Sequence, residues 1–240
     1  YTVTEDAVIT VGFAKKAVGE ENKAVTIPKS QIGNYSGTAY RLEFPEILLG
    51  DRDGGDTDRK GKSFTISTWV NFAELTGSKN EGTGDGTVIM GHGAQAHMNH
   101  NGSVFLCAKP NGKLYLGGGE NNITGRDLNA DITIDTWMYL TIVYDNDAQS
   151  VSVYKDGMIL ETVEMGHQLN LFNDDPAIFY VGGVMFSGMC DEFQYFNKAL
   201  TSDDVLTAYN DPKGIDGLTA LYDFNSIAEG TTGQFENKIK

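Results

Sequence analysis

Four aspartates recur at short spacing in one polar segment of the chain. The segment reads GDRDGGDTDRKGK, contains no apolar residue, and holds Asp51, Asp53, Asp56 and Asp58. Carboxylate oxygens are the ligands that Ca²⁺ prefers, so this segment is a candidate calcium site, with Asn173–Asp175 as a second one. The spacing differs from that of an EF-hand, because Lys62 stands where a bidentate glutamate is needed. The alternative is a solvated loop, balanced by Arg52, Arg59 and Lys60.

Histidines and amides are concentrated in a second polar segment, GHGAQAHMNHNG, which the flanking apolar runs predict to be a loop between two strands. It holds His92, His97 and His100. Zinc sites use three or four nitrogen, sulfur or carboxylate ligands, but no acidic partner stands nearby in the sequence. Side chains of this kind also suit hydrogen bonds to sugar hydroxyls. A zinc site, a sugar-binding loop and a plain solvated connection therefore stay open.

Signatures of nucleophilic catalysis and of phosphate binding are missing. No Gly-x-Ser-x-Gly elbow occurs, and no glycine-rich phosphate loop precedes a helix. The two cysteines, Cys107 and Cys190, lie in apolar runs without a neighbouring histidine. Buried free thiols are the expected state, with a disulfide between them as the alternative.

The composition excludes several classes of partner. With 33 acidic and 18 basic residues the net charge is −15, which disfavours nucleic acids and anionic membranes. No apolar run approaches the roughly 20 residues of a membrane-spanning helix. No signal-like segment is present at Tyr1, so we expect that any export signal has been removed.

Short apolar or alternating runs, separated by Gly, Asn and Asp, predict an all-β protein with tight turns. The predicted strands are Val8–Phe13, Ala24–Ile27, Tyr40–Phe44, Phe64–Phe72, Thr87–Met90, Val104–Ala108, Lys113–Leu116, Ile132–Ile134, Trp137–Tyr144, Val151–Lys155, Met158–Val163, Ile178–Gly182, Asp191–Phe196 and Leu218–Asn225.

One helix is predicted after these strands. Thr201 or Ser202 can serve as its N-cap, acidic residues follow in the first turn, and Pro212 comes after its end. Its apolar stripe is predicted to consist of Val205, Leu206 and Tyr209.

Four motifs in this order carry a family resemblance. They are FTISTWV from residue 64, the Trp137–Asp145 strand, VYKDG from residue 153, and Gly188–Leu200 with its D-E-x-x-x-F-N-x-A-L pattern. Together they resemble the laminin-G-like branch of the concanavalin A-like lectin/glucanase superfamily, over residues 40–210. The resemblance implies a two-sheet antiparallel jelly-roll sandwich with one short C-terminal helix.

The resemblance also bears on the extent of the domain. We expect residues 1–240 to form a single domain in which 213–240 are a terminal strand and tail, the alternative being the start of a second unit. It further implies a glycan-binding or protein-binding module of a secreted or cell-surface bacterial protein.

The β-glucanases of this superfamily place three acidic residues on alternate positions of one strand, so that two carboxylates flank one bond. The chain lacks that pattern: Asp191 and Glu192 are adjacent, and Glu161 and Glu164 are three residues apart, so each pair points to opposite faces. We therefore expect no enzymatic activity; a glycoside hydrolase with an unfamiliar catalytic set is the remote alternative.

Sugar-binding modules usually stack an exposed aromatic ring on the sugar. Trp69 and Trp137 match core positions of the family, which leaves Tyr35, Tyr115, Phe172 and Tyr180. The expected function is non-catalytic carbohydrate binding, with calcium as a candidate supporting ion. The alternative is a protein-interaction or spacer domain without a glycan site. The predicted ligand-binding residues are His92, His97, Asn99, His100, Asn101, Tyr115, Asn121 and Asn122.

Overall fold

The computed structural model describes residues 10–13, 23–29, 40–44, 47, 62–76, 86–93, 103–118, 126–166, 168, 178–183, 185–225 and 238. Within them lie fourteen strands and one helix. The strands are β1 Thr10–Phe13, β2 Lys23–Ile27, β3 Arg41–Phe44, β4 Phe64–Phe72, β5 Thr87–Gly93, β6 Val104–Ala108, β7 Lys113–Gly118, β8 Arg126–Asp131, β9 Met138–Asp145, β10 Ser150–Lys155, β11 Met158–Glu164, β12 Ile178–Gly182, β13 Gly188–Phe196 and β14 Leu218–Tyr222, and the helix is α1 Ser202–Asn210.

These strands form two antiparallel sheets, as expected for a jelly-roll sandwich. One sheet has the order β1-β2-β13-β4-β9-β10-β11, with β14 added beside β13, and is called the seven-stranded sheet below. The other has the order β3-β12-β5-β6-β7-β8 and is called the six-stranded sheet. The predicted all-β fold is therefore confirmed.

Alternating side chains in β3 show how the sequence pattern selects the faces of the sheets. Leu42 and Phe44 are buried in the core between the sheets, whereas Arg41 and Glu43 point to the other side and are only half-buried. Because successive side chains of a strand point to opposite faces, a sequence that alternates apolar and charged residues seals one face and leaves the other polar.

Helix α1 covers the outer face of the seven-stranded sheet. Its buried residues Val205 and Ala208 pack on Val143, Tyr154 and Phe196 of that sheet. The helix begins at the N-cap Thr201, whose hydroxyl accepts a 3.2 Å hydrogen bond from the backbone of Asp204, as predicted.

The predicted apolar stripe of α1 is wrong at one position. Leu206 is 47% exposed, and Ala208 takes the inward position in its place. The reason is geometric, since Val205 and Ala208 are three residues apart on one face of the helix, and Leu206 lies about 100° away from Val205.

Strand β13 lies in the interior of the seven-stranded sheet. It pairs with β4 on one side, while its other side is shared by β2 near its start and β14 near its end. β14 is therefore part of this sheet.

A β-bulge in β13 occurs at the acidic pair Asp191–Glu192. Asp191 lies opposite Trp69 of β4 and Gln194 opposite Ser67, so two residues of β13 face Thr68 alone. Glu192 has a φ of 48°, and the Thr68 hydroxyl donates a 2.9 Å hydrogen bond to the Asp191 carbonyl. The pair is therefore structural: it changes which side chains of β13 point inward after the bulge.

The Asp156–Gly157 turn ties the β10–β11 hairpin to β9. Both residues have positive φ, 53° and 78°, as a tight hairpin turn requires. The Asp156 carboxylate accepts a 2.9 Å hydrogen bond from the backbone N–H of Tyr139, and the backbone N–H of Asp156 donates a 2.7 Å bond to the Tyr139 carbonyl. This aspartate therefore satisfies the backbone at the start of β9.

Two sequence-based assignments are corrected by the structure. No strand covers Ile132–Ile134; the strand lies just before it, as β8, and a turn with φ of 57° at Asp135 follows. Strand β8 was not predicted because its sequence is mostly polar. It is an edge strand in which only Leu128 and Ala130 are buried. The other correction concerns His92, which lies in β5 and not in a loop.

Helix α1 has nine residues, and no helix in the described ranges is long and apolar enough to span a membrane. Both cysteines are buried free thiols, as predicted: Cys190 in the core between the sheets and Cys107 on the outer face of the six-stranded sheet.

We predict that Asp156→Ala lowers the free energy of unfolding by roughly 1–3 kcal/mol, because it leaves the Tyr139 N–H without its acceptor and places alanine at positive φ. Asp156→Asn is the matched control, since asparagine keeps an acceptor oxygen and tolerates this conformation. Urea unfolding of both variants measures the difference. Equal stability of the two would contradict the role assigned to this side chain.

Candidate functional site

The outer face of the six-stranded sheet carries an apolar cluster separate from the core between the sheets. Its members lie on β5, β6, β7 and β12 and are all buried: Val88, Phe105, Cys107, Tyr115, Ile178 and Tyr180. The register places Cys107 opposite Tyr115, and Tyr180 opposite Gly91, so these side chains share one face. Helix α1 lies on the other sheet, and the partly exposed charged pairs at the edges of this buried cluster make this face the candidate functional site.

Two glycines on the strands that flank β6 make room for Phe105, Gly117 for its ring and Gly91 for its backbone and Cβ. A side chain on Gly117 would collide with the Phe105 ring, and one on Gly91 would collide with its Cβ. The ring therefore lies across the backbone of β7, and glycine is needed at both positions for steric reasons rather than for backbone conformation.

An ion pair lies beside Tyr180 at the β3 edge of this face. The Arg41 Nε donates a 2.7 Å hydrogen bond to Glu43 Oε1, and Arg41 Nη2 lies 2.6 Å from the same oxygen. Glu43 is the register partner of Tyr180, and the Arg41 guanidinium carbon lies 5.4 Å from the centre of the Tyr180 ring. That distance is within the range of a cation–π interaction.

The hydroxyl of Tyr180 is the unusual feature of this site. It is completely buried and has no hydrogen-bond partner among the residues that the structure describes. Burial raises the pKa of Tyr180 well above its ordinary value, the Arg41 charge opposes this shift and Cys107 adds to it. Most buried polar side chains are hydrogen-bonded, so this neutral hydroxyl is an exception to the usual pattern.

Further ion pairs lie at the opposite edge of the face. Lys109 is paired with Asp127 of β8, and its ammonium nitrogen lies 4.8 Å from the centre of the Tyr115 ring. Lys113 lies 2.5 Å from Asp131. The hydrogen bond from Lys113, followed by its charge, lowers the pKa of Asp131. The apolar centre of the face is therefore bordered by paired charges on both sides.

His92 does not belong to this face. Its imidazole is 3% exposed and points into the core between the sheets, where its ring centre lies 4.7 Å from that of Phe179 and 6.0 Å from that of Phe64. The loop assignment was wrong because the strand continues through Gly91 and Gly93, two residues that the sequence pattern favours in turns. A buried imidazole between two rings has a packing role.

The other predicted ligand residues divide into two groups. Tyr115 lies on the candidate face, but it is 4% exposed and packed under Lys109. The rest lie outside the described residues: His97, Asn99, His100, Asn101, Asn121 and Asn122, together with the predicted metal ligands Asp51, Asp53, Asp56 and Asp58, the run Asn173–Asp175, and Tyr35 and Phe172. In the part of the chain that the structure describes, no three His, Cys, Asp or Glu residues come together to hold a metal ion.

Sequence reasoning missed Arg41, Glu43 and Lys109 as site residues. The signal for the first two was present, because the alternation in Tyr40–Phe44 places both charged side chains on the face opposite the core. Their proximity to Tyr180 depends on the pairing of β3 with β12, which are far apart in the sequence.

Both tryptophans are half-buried. Trp69 packs against Tyr139 and Tyr209 between the seven-stranded sheet and α1, with ring centres 5.4 and 5.3 Å away. Trp137 directly precedes β9. The predicted packing role of Trp69 agrees with these contacts, whereas that of Trp137 stays a prediction.

Comparison with known proteins places this architecture in a family. The Laminin_G_3 model of the concanavalin A-like lectin/glucanases superfamily matches residues 51–206, about two thirds of the chain. The chain belongs to this family. No curated protein sequence matches this laminin-G-like domain.

Solved structures share the fold of the laminin-G-like domain at low sequence identity. A putative carbohydrate binding protein from Bacteroides ovatus is 18% identical with a TM-score of 0.57, over 89% of this chain and 56% of its own. The CBM40 of the Ruminococcus gnavus IT-sialidase, bound to α2,3-sialyllactose, is 11% identical with a TM-score of 0.54, over 78% and 95%. Domain 4 of the Geobacillus stearothermophilus arabinanase AbnA, in complex with arabinotriose, is 18% identical with a TM-score of 0.50, over 82% and 80%.

These likenesses show the fold. The chain spans little more than half the length of the Bacteroides ovatus protein, so that protein contains a further region outside the shared fold.

We predict that Tyr180→Phe leaves the laminin-G-like domain as stable as the native one or more stable, by up to about 2 kcal/mol, because it removes a buried hydroxyl that has no partner. Tyr139→Phe is the matched control: its hydroxyl donates a 2.6 Å hydrogen bond to Gln194, and its loss should lower the free energy of unfolding by about 1 kcal/mol. Thermal and urea unfolding measure both. A loss of stability in Tyr180→Phe equal to that in Tyr139→Phe would contradict the free state of the Tyr180 hydroxyl.

We also predict that neither thiol reacts with Ellman's reagent in the folded domain at pH 8, while both react in denaturant. Burial raises the pKa of Cys107 and of Cys190 above the ordinary thiol value, so the reactive thiolate is scarce and inaccessible. Rapid reaction of one thiol per folded chain would contradict the burial of these cysteines.

Proposed function

We propose that this laminin-G-like domain is a non-catalytic carbohydrate-binding module of a secreted or cell-surface protein, and that it binds its glycan at the outer face of the six-stranded sheet. The observation that carries the proposal is the half-buried Arg41–Glu43 pair at the β3 edge of this sheet, which remains partly accessible while α1 lies on the other sheet. Shared fold with the carbohydrate-binding proteins named above supports it.

Hydrogen bonding, rather than ring stacking, is the expected mode of recognition. Among the described residues no aromatic side chain is exposed, so no flat ring is presented to a sugar. Polar groups are present instead: Arg41 and Glu43 are half-buried at the edge of the face, where their remaining hydrogen-bonding capacity can meet sugar hydroxyls. Half-buried polar groups of this kind fix the orientation of a ligand.

The spacing of carboxylates supports a role in binding rather than hydrolysis. Glycosidases need two carboxyl groups about 5 to 9.5 Å apart. In the described part of this face, Glu43 lies on β3 and the other carboxylates, Asp127 and Asp131, on β8, at the two opposite edges of the sheet. Five strand spacings of about 4.8 Å separate those edges by roughly 24 Å, and four residues along β8 separate Asp127 from Asp131 by about 13 Å.

The proposal includes a calcium ion bound by the acidic segment Asp51–Asp58. Its carboxylates suit a hard cation, and the family match begins at residue 51. A melting temperature that rises in millimolar calcium and falls back in EDTA is the expected result. An unchanged melting temperature would remove calcium from the proposal and leave glycan binding to be tested separately.

A glycan array of plant, host and microbial oligosaccharides, followed by calorimetry on the best ligand, tests the function. We predict binding that Arg41→Ala weakens at least about fivefold, because the pair that borders the site is lost. Lys29→Ala is the matched control, since it breaks the exposed Lys29–Glu74 pair near the ends of β2 and β4. Equal affinity of Arg41→Ala and the native domain would move the site away from this face.

An assay for reducing sugar on the same polysaccharides tests the absence of catalysis. No release above the buffer blank is expected at high domain concentration. Release that scales with domain concentration would overturn the non-catalytic assignment.

The alternative is a protein-interaction or spacer domain, and one observation favours it. Met158, Ile159 and Leu206 are exposed, and the β10–β11 turn contacts α1, since a side chain on Gly157 would meet Leu206. Exposed apolar residues near one another are typical of protein contacts. Absence of binding to every glycan on the array would favour this alternative.

A further inference from the structure

We infer that this domain also carries a protein-docking surface, and that the surface fits a partner segment in which large apolar side chains are flanked by lysine or arginine. The surface consists of Met158, Ile159 and Leu206 and is called the hairpin–helix patch below. It is independent of the proposed glycan site, because it lies on the seven-stranded sheet and its helix.

Exposed apolar side chains are concentrated at this patch. Met158, Ile159 and Leu206 are 69%, 51% and 47% exposed, and among the described residues Ile134 is the one other large apolar side chain of comparable exposure. Single apolar residues on a protein surface are ordinary, whereas several that lie together are typical of a contact surface.

The β10–β11 hairpin and α1 bring these side chains together. A Cβ on Gly157 would lie 2.9 Å from the Leu206 Cδ1, so the turn of the hairpin is in close contact with the helix. Ile159 is the register partner of Tyr154, which packs with α1, and partners in a ladder share one face of the sheet. Ile159 and Leu206 therefore lie on the same side of the sheet, with Met158 next to them at the end of the hairpin.

The charges of the two elements that carry the patch are acidic. Helix α1 contains two aspartates and β11 two glutamates, and neither element contains lysine or arginine. Asp203 is exposed one helical turn before Leu206. The C-terminus of a helix is the negative end of its dipole, and α1 has no basic residue in its last turn.

Two basic side chains near the hairpin are engaged with the six-stranded sheet. Arg126 of β8 is paired with Glu161 of β11, and the Lys155 ammonium donates a 2.9 Å hydrogen bond to the Asp131 carbonyl. A cation on a partner would therefore meet a negative potential beside the apolar patch, whereas an acidic partner would be repelled.

A second copy of this chain fits the patch less well than a basic partner. Each copy has a net charge of −15, and two patches in contact would bring like charges together. Strand β11 lies at the edge of its sheet, but Leu160 is an extra residue between the register partners of Tyr154 and Val153. A bulge of this kind hinders pairing between the edges of two copies.

Selection of short random peptides from a displayed library, with the native chain as the target, tests the inference. We expect the selected peptides to combine large apolar side chains with an excess of lysine and arginine. Calorimetry at 50 and 300 mM NaCl should show an affinity that falls at least about threefold at the higher concentration, because salt screens the attraction between opposite charges.

The double variant Ile159→Thr with Leu206→Gln tests the apolar surface. Threonine is favoured in strands and glutamine in helices, so the domain should stay folded, which urea unfolding checks. The selected peptides should bind this variant at least about tenfold more weakly, because two apolar contacts are lost. Ile134→Thr is the matched control, since Ile134 is 42% exposed outside α1 and β11, and it should leave the affinity unchanged.

Asp203→Asn tests the charge beside the patch. The affinity for the selected peptides should fall about two- to fivefold, with a weaker dependence on salt, because a carboxylate near Leu206 is neutralised. Asp147→Asn is the matched control: Asp147 is exposed in the β9–β10 turn, and its substitution changes the net charge equally. Equal losses in the two variants would overturn the local role of the charge.

Other outcomes would overturn the docking surface itself. These are selected peptides without a basic excess, equal affinity of the peptides for the native chain and the double variant, and a selection that yields no binder. Sedimentation equilibrium tests the second copy: a dimer of the native chain that the double variant loses would make a second copy the occupant and overturn the basic partner. The glycan array is unaffected by any of these results, so the two proposals fail separately.

Discussion

The sandwich depends on the bulge at Asp191–Glu192 in β13. Because the bulge adds one residue, Cys190 before it and Phe193 after it both point into the core, which regular alternation would forbid. Phe193 then stacks on Phe44 of the opposite sheet, with ring centres 3.9 Å apart and planes 6° from parallel. This contact fixes β3, whose other side carries Arg41 and Glu43. The position of the candidate site therefore follows from a local irregularity in the other sheet.

The two outer faces differ in what lies on them, because α1 packs on only one of the sheets. On the seven-stranded sheet, α1 seals Trp69 and Tyr139 and a row of buried polar residues beneath it, where Ser67 and Thr141 are 2.9 Å apart. On the six-stranded sheet the apolar centre is bordered by paired charges instead.

The motifs that identify the family have structural roles. Trp69 packs under α1, Asp156 satisfies the backbone of β9, and Asp191 belongs to the bulge. These residues could be predicted as structural from the sequence, because turns, caps and bulges depend on neighbours in the chain. The site residues were harder: His92 was expected in a polar loop and lies in the core, whereas Arg41, Glu43 and Lys109 were not recognised as a group. Their chemistry alone does not distinguish them from other surface charges.

The sequence by itself determined the local elements: the alternation of β3, the capping box at Thr201, the positive-φ turn at Asp156–Gly157 and the balance of charge. Each depends on residues a few positions apart, so the pattern contains the information. The tertiary structure alone decided that Tyr180 lies beside Arg41 and Glu43, and that its hydroxyl has no partner. Those facts depend on the pairing of strands that are distant in the chain, which is set by the packing of the whole core and not by any short segment.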